Sequence, residues 1–219
     1  MPRRLVCISS TDAPIGAQVG HLVADALGFR YVDEQIIARA AELAQVEPAV
    51  VAAAEQRQPL LDRILDKLAT AQEMAGPVAL GTLLPVGDVF VAEYVQTKAP
   101  PDDLRILIRA AILEVAKAGQ AVIVAHGASM AVEFHEGVLR VLITSSVEAR
   151  VRRLVAGGMK EAEAAAAVAA SDKGRRDYFR RFFKIREELP THYDVVVNTD
   201  GVAPKQAAAI VVSAARADA

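Results

Sequence analysis

The chain has 219 residues, 53% of them hydrophobic and 24% charged, with a formal net charge of -2. These totals exclude a disordered polyelectrolyte and give no sign of a surface built for nucleic acid. Abundant alanine, no tryptophan and only 5% aromatic residues favour helical packing over an all-β core. The single cysteine, Cys7, lies in the apolar run LVCIS and reads as a buried thiol in a reducing compartment. The apolar stretch after Arg3 and Arg4 is short and broken by Asp12 and Pro14, so it does not read as a signal peptide. No later stretch approaches the ~20 apolar residues of a membrane span. A cytoplasmic protein with no membrane partner is the expectation.

In chain order, Leu5 to Ser9 predicts a first strand, followed by a loop holding Pro14 and Gly16. Val19, Leu22, Val23, Ala26 and Leu27 recur at helical spacing, and Gly28 closes that helix. Phe29 to Val32 predicts a second strand leading to Asp33, which makes a parallel βαβ unit. From Glu34 to about Ala75 the pattern is helical, punctuated by Pro48 and Pro59, with an apolar stripe from Leu60 to Leu68. A loop is expected from Gly76 to Asp88, then a helix capped by Asp102 or Asp103 and ended by Gly119. Ala121 to Ala125 and Leu139 to Ile143 predict buried strands. Ser145 with Glu148 has the spacing of a capping box opening a helix that glycines 157 and 158 end. A charged helical stretch from Lys160 runs into DKGRRDYFRRFFKIR; Asp194 to Val197 predicts the fifth strand, and Pro204 opens a last helix. Five apolar strands alternating with helices predict a doubly wound parallel sheet, with ligands at the carboxyl ends of the strands.

That topology places Ser10 to Gln18, Asp33 and His126 around one crevice. A turn between a first strand and its helix points N–H groups and the positive helix end at an anion, which suits nucleotide phosphates. The residues themselves are unhelpful: against G-x-x-x-x-G-K-[ST], the segment TDAPIGAQ has Thr11 at the first glycine, keeps Gly16, and has Ala17 and Gln18 where Lys and Ser/Thr belong. A plain βα turn shaped by Pro14 and Gly16 is the competing reading. No His/Cys/Asp/Glu spacing suggests a zinc site, and any Mg²⁺ would arrive with a nucleotide.

The last third is more specific. VLITSSVEARVRRL, SDKGRRDYF and YDVVVNTD resemble the cytidylate kinase-like family in kind, order and spacing, through Asp172, Lys173, Arg175 and Tyr178 and then Tyr193, Asp194, Asn198 and Thr199. Upstream, ISSTDAPIGA, YVD and VIVAHGA stand where the family has ISR-x-x-GSGG-R, Y-D and V-I-V-G-R-x-A, so the resemblance spans nearly the whole chain. It implies an α/β fold of P-loop kinase type over residues 1–219, with a helical nucleoside monophosphate-binding insert at about 34–100 and a lid at about 157–190. It implies transfer of the ATP γ-phosphoryl group to a nucleoside monophosphate with Mg²⁺, nucleotides as partners, and self-association left open. Guanidinium groups position phosphoryl charge bidentately, which makes Arg150, Arg153, Arg175 and Arg176 the catalytic candidates. Ser10, Thr11, Asp12, Ala13, Pro14, Ile15, Gly16, Ala17 and Gln18 form the cofactor-loop candidate, and Asp33 and His126 the acceptor side. Asp177, Glu187 and Glu188 are ready structural partners for the same arginines.

Three departures strip charge from the phosphate side: Ala17 for the basic loop residue, Ser10 for the preceding arginine, and His126 for the arginine of the third-strand motif. Each lost charge-assisted hydrogen bond is worth about 1.5–3 kcal/mol. Three functions therefore stay open: a nucleotide kinase, a non-catalytic relative binding a nucleotide or another phosphorylated ligand, and an interaction module using the Leu60 to Leu68 stripe. A nucleic-acid surface on the aromatic-basic segment is disfavoured by the net charge.

Overall fold

The computed structural model describes residues 4–44, 47–55, 101–132 and 137–217. Its first strand, β1 (Leu5–Ser10), is buried along nearly its whole length. Turn residues Thr11 and Asp12 lead straight into α1 (Ala13–Leu27), which Gly28 closes in a left-handed conformation with φ 67°. Next come β2 (Arg30–Val32), α2 (Glu34–Ala44) and α3 (Pro48–Glu55), and, beyond the undescribed stretch, α4 (Pro101–Ala118) and β3 (Ala121–Val124). The short α5 (Ala128–Ala131), β4 (Val138–Thr144), α6 (Val147–Ala156), the long α7 (Glu161–Phe183), a 3₁₀ turn at Pro190–His192, β5 (Val195–Asn198) and α8 (Pro204–Arg216) complete the chain. Residues 56–100, which carry the Leu60 to Leu68 stripe and the Gly76 to Asp88 loop, lie outside the described residues.

All pairings are parallel and the strand order is β2-β3-β1-β4-β5. Period-2 alternation sends Leu5 and Cys7 to one face, with Ile36, Ala40, Ile108 and Ile112 of α2 and α4. It sends Val6 and Ile8 to the other face, with Val19 and Val23 of α1 and Val211 of α8. Each fully buried Val or Ile contributes about 1.5–3 kcal/mol, which is why these strands read as unbroken apolar runs. The chain visits β2 and β3 on one side of β1 and then β4 and β5 on the other. This makes the carboxyl end of β1 the topological switch point.

Three local expectations are corrected. Pro14 and Gly16 belong to a helix, not a loop: Gly16 N–H already donates to Asp12 O at 2.8 Å, and proline suits the first turn because its missing N–H has no helical partner there. Ser146, not Ser145, caps α6 by accepting from Ala149 N–H at 3.1 Å, because the Ser145 hydroxyl is taken by Thr199 at 2.7 Å. Finally, α4 begins at Pro101, so Asp102 and Asp103 lie inside its first turn.

Gly16 packs so closely on β1 that a methyl added there would sit 2.4 Å from Ser10 Cβ. At Gly174, within α7, nothing lies within 4 Å of the same methyl. Alanine gains about 1 kcal/mol over glycine inside a helix, whereas overpacking against an atom fixed to the backbone costs about 1–3 kcal/mol. Urea midpoints are therefore expected to rise for Gly174→Ala and fall for Gly16→Ala. A rise for both would contradict the packing of α1 on Ser10.

Candidate functional site

The carboxyl ends of the strands are bound together by hydroxyl groups and arginines. Thr11 Oγ1 accepts from Ser145 N–H at 3.1 Å, and Thr199 Oγ1 donates to Thr144 O at 3.1 Å, which joins the ends of β1, β4 and β5. On α6, Arg150 is 8% exposed and forms a bidentate pair with Asp172 at 2.6 and 2.8 Å; Nη1 also donates to Thr11 O at 3.1 Å. The Asp172 hydrogen bond holds its pKa above the usual arginine value against the opposing effect of burial. One turn of helix places Arg153 on the same side. Its Nη1 donates to Asp12 Oδ2 at 2.7 Å and to Ser145 Oγ at 2.8 Å, and its Nη2 donates to Thr199 O.

Arg175 of α7 reaches β1 from above. Nη1 donates to Ser10 O at 2.7 Å and Nη2 to Ser9 Oγ at 2.8 Å, while Nε and Nη2 grip Glu188 at 2.7 Å each. Its guanidinium also lies 4.8 Å above the Phe179 ring. Tyr193 donates its hydroxyl to Glu188, and its phenol titrates well above the usual value, first through burial and then through the Glu188 charge. Asp200 accepts from Ser146 N–H at 2.9 Å, and hydrogen bonding to Ser146, through its side chain first and then its N–H, keeps the carboxyl below the usual range.

A second group sits at the ends of β2 and β3. His126 Nε2 lies 3.0 Å from Asp33 Oδ1, and Tyr31 donates to Asp33 Oδ2 at 3.3 Å. Tyr31 is pushed up to about 12, by burial first and then by the Asp33 charge. The His21 ring stacks on Tyr31 at 3.7 Å. The turn bearing His126 is strained: Ala125, His126 and Gly127 all have positive φ, at 66°, 52° and 64°. For non-glycine residues that conformation costs roughly 1–2 kcal/mol each. Ala125 N–H, donating to Ile8 O at 3.0 Å, and Tyr178, donating to His126 O at 2.9 Å, hold the turn in place. Phe183 closes over Gly127, where any added methyl would lie 2.3 Å from the ring. Helix α7 thus contacts both groups, through Arg175 and through Tyr178.

Of the candidates read from the sequence, Arg150, Arg153 and Arg175 converge on the β1–α1 turn, and Asp33 and His126 meet each other. Arg176 does not join them; it is exposed on α7. Of the nine loop positions, Ser10 ends β1, Thr11 and Asp12 make the turn, and Ala13 to Gln18 are helical. Motif reading has Thr11 and Asp12 as part of the cofactor loop and Ser145 as a helix cap, whereas the structure has them bonding Ser145 N–H, Arg153 and Thr199 respectively; Tyr31, which donates to Asp33, reads in the sequence only as part of a strand.

The turn does not fit a Mg²⁺–triphosphate cradle. Two residues separate strand from helix, the space Gly16 leaves is filled by Ser10, position 17 is alanine, and Ser10 O and Thr11 O are already bonded to arginines. No group of three or more His, Cys, Asp and Glu side chains suited to a metal ion occurs among the described residues. The donor set that is present, three guanidinium groups, suits phosphate oxygens.

A parallel α/β sheet in this strand order, with arginines gathered at its carboxyl ends, and a family match over residues 5–201 together make this a nucleotide kinase-like protein. The model of the cytidylate kinase-like family matches residues 5–201, and the chain belongs to that family. Among solved structures, an uncharacterized protein from Eubacterium ventriosum ATCC 27560 is similar at 12% identity and TM-score 0.62, covering 97% of this chain and 98% of that one. Shikimate kinase from Bacteroides thetaiotaomicron has 12% identity and TM-score 0.47 with 96% and 97% covered. Dephospho-CoA kinase from Campylobacter jejuni has 16% identity and TM-score 0.39 with 98% of each chain covered. No curated protein matches the sequence. No helix among the described residues is long and apolar enough to cross a membrane.

Proposed function

We propose that this chain is a non-transferring member of its family, one that binds a nucleotide or another phosphorylated ligand through Arg150, Arg153 and Arg175. One observation carries the reading: the β1–α1 turn is two residues long and is held by the chain's own arginines. Phosphoryl transfer depends on positioning and neutralising charge, and a lost transition-state contact costs on the order of 10²–10³ in rate. Loss of the basic side chain at position 17 removes such a contact, while the three guanidinium groups keep the chemistry that recognises phosphate. On this reading residues about 157–190 act as the lid and about 34–100 as the nucleoside monophosphate-binding-type insert, with Asp33 and His126 on the acceptor side.

Calorimetric titration of the purified chain with ATP and with CMP, each with Mg²⁺, tests the binding half. At least one is expected to bind; failure of both, with the protein folded, would leave an interaction module as the better account.

A second reading is transfer of the ATP γ-phosphoryl group to a cytidylate-like acceptor, with Mg²⁺. It is favoured by the convergence of Arg150, Arg153 and Arg175 at the switch point, where a ligand's phosphates would sit. It requires the β1–α1 turn to open.

A further inference from the structure

We infer that Asp12 is an internal stand-in for a ligand phosphate: its carboxylate holds Arg153 until a dianionic phosphate monoester displaces it. Asp12 thereby sets the affinity of the arginine site for phosphate. The inference rests on the phospholigand reading above and adds the residue that controls access to the site.

Asp12 occupies the N-cap of α1 with an extended backbone, the place where an aspartate ordinarily accepts from the helix N–H groups. It makes no side-chain cap hydrogen bond. The carboxylate is buried and turned onto Arg153, whose Nη1 lies 2.7 Å from Oδ2. This departure from the usual use of an N-cap aspartate is what needs explaining, and a substitute anion at an arginine site explains it.

The three arginine–carboxylate pairs differ. Asp172 takes Arg150 through two nitrogens, and Glu188 takes Arg175 through two. Asp12 takes Arg153 through one. The single bond is the easiest to exchange, and a phosphate with three oxygens can take a guanidinium bidentately. Arg153 keeps its bonds to Ser145 Oγ and Thr199 O when Asp12 leaves, so the incoming anion meets a positioned donor. Arg150 Nε is buried without a hydrogen-bond partner among the described residues, so the closed arrangement leaves that arginine incompletely satisfied.

Charge points the same way. Arg150, Arg153 and Arg175 are each paired with a carboxylate, Asp172, Asp12 and Glu188, so a dianion approaching these three guanidinium groups meets charge that is already compensated. Neutralising Asp12 leaves an excess of one positive charge at the guanidinium that would bind the ligand.

The test is calorimetric titration of inorganic phosphate into the full chain and into Asp12→Asn, Asp12→Ser and Asp12→Glu. The two neutral variants are expected to bind phosphate at least about tenfold more tightly than the parent, a change of about 1.4 kcal/mol. Asp12→Glu, which keeps the carboxylate, is expected to stay within about threefold of the parent. Asp12→Ser retains a helix-capping hydroxyl and carries the test if Asp12→Asn does not fold. A folded neutral variant that binds phosphate no better than the parent overturns the inference, as does a gain by Asp12→Glu equal to theirs. If the parent binds nucleotide while the neutral variants gain nothing for phosphate, the stand-in role fails and the binding reading survives. If the parent binds no nucleotide but the neutral variants gain for phosphate, the stand-in role holds and the nucleotide reading falls.

Discussion

Arg150→Ala is expected to lower the free energy of unfolding by about 3–5 kcal/mol, the cost of breaking a buried ion pair from one side. The side chain is 9% exposed and its partner Asp172 24% exposed, so the orphaned carboxylate is partly rehydrated and the lower end of that range applies. Thr11 O loses its donor in the same step. Residues that motif reading assigned to phosphate are thus also the ones joining α6, α7 and the β1 turn. Arg176→Ala, one residue out of phase with Arg175 on α7, is expected to change stability by no more than about 0.5 kcal/mol. Guanidinium denaturation of both variants separates the two roles. An Arg150→Ala midpoint as close to the parent's as that of Arg176→Ala would mean that the Asp172 pair contributes nothing to the fold.

Alkaline pH is expected to destabilise the chain through Cys7. Burial pushes this thiol up from an ordinary 9.0 to about 12, with the Arg140 charge pulling weakly the other way. Between those values the unfolded chain has released its proton while the folded chain has kept it, so stability is whole below pH 9 and falls as pH rises toward 12. The complete loss is on the order of a few kcal/mol. Tyr31 and Tyr193, also raised, act in the same direction at higher pH, so the Cys7 share is read as a difference. Urea unfolding of the parent and of Cys7→Ala from pH 8 to 10.5 is expected to show the parent losing stability faster. Parallel curves would mean that the thiol ionises without penalty and is not sealed in the core.

The sheet was legible because its central strands, β1, β3 and β4, are buried on both faces and therefore read as continuous apolar runs. The convergence of Arg150, Arg153 and Arg175 was legible through DKGRRDYF and VEARVRRL, since residues three apart share a helix face. Arg176 stands apart from them, exposed, because adjacent residues on α7 point about 100° apart, which periodicity could have resolved had the register of α7 been known. The extent of α1 was obscured by Pro14 and Gly16, two residues that ordinarily break helices. Within a first turn proline is tolerated, and glycine here is required by the closeness of Ser10. The capping-box spacing favours Ser145, with Glu148 three residues on; the partner across the sheet, Thr199, takes the Ser145 hydroxyl and leaves Ser146 to cap. The role of Asp12 depends on Arg153, 141 positions away in the chain, and no local pattern encodes it.

The most direct test of the central claim is an ADP-release assay on the purified chain with Mg²⁺–ATP and a panel of nucleoside monophosphates that includes CMP. A closed β1–α1 turn without a basic residue predicts no ADP above the uncatalysed background at any acceptor, from a sample that still binds nucleotide. Acceptor-dependent ADP release would contradict it and establish the chain as a working nucleotide kinase whose turn opens in use.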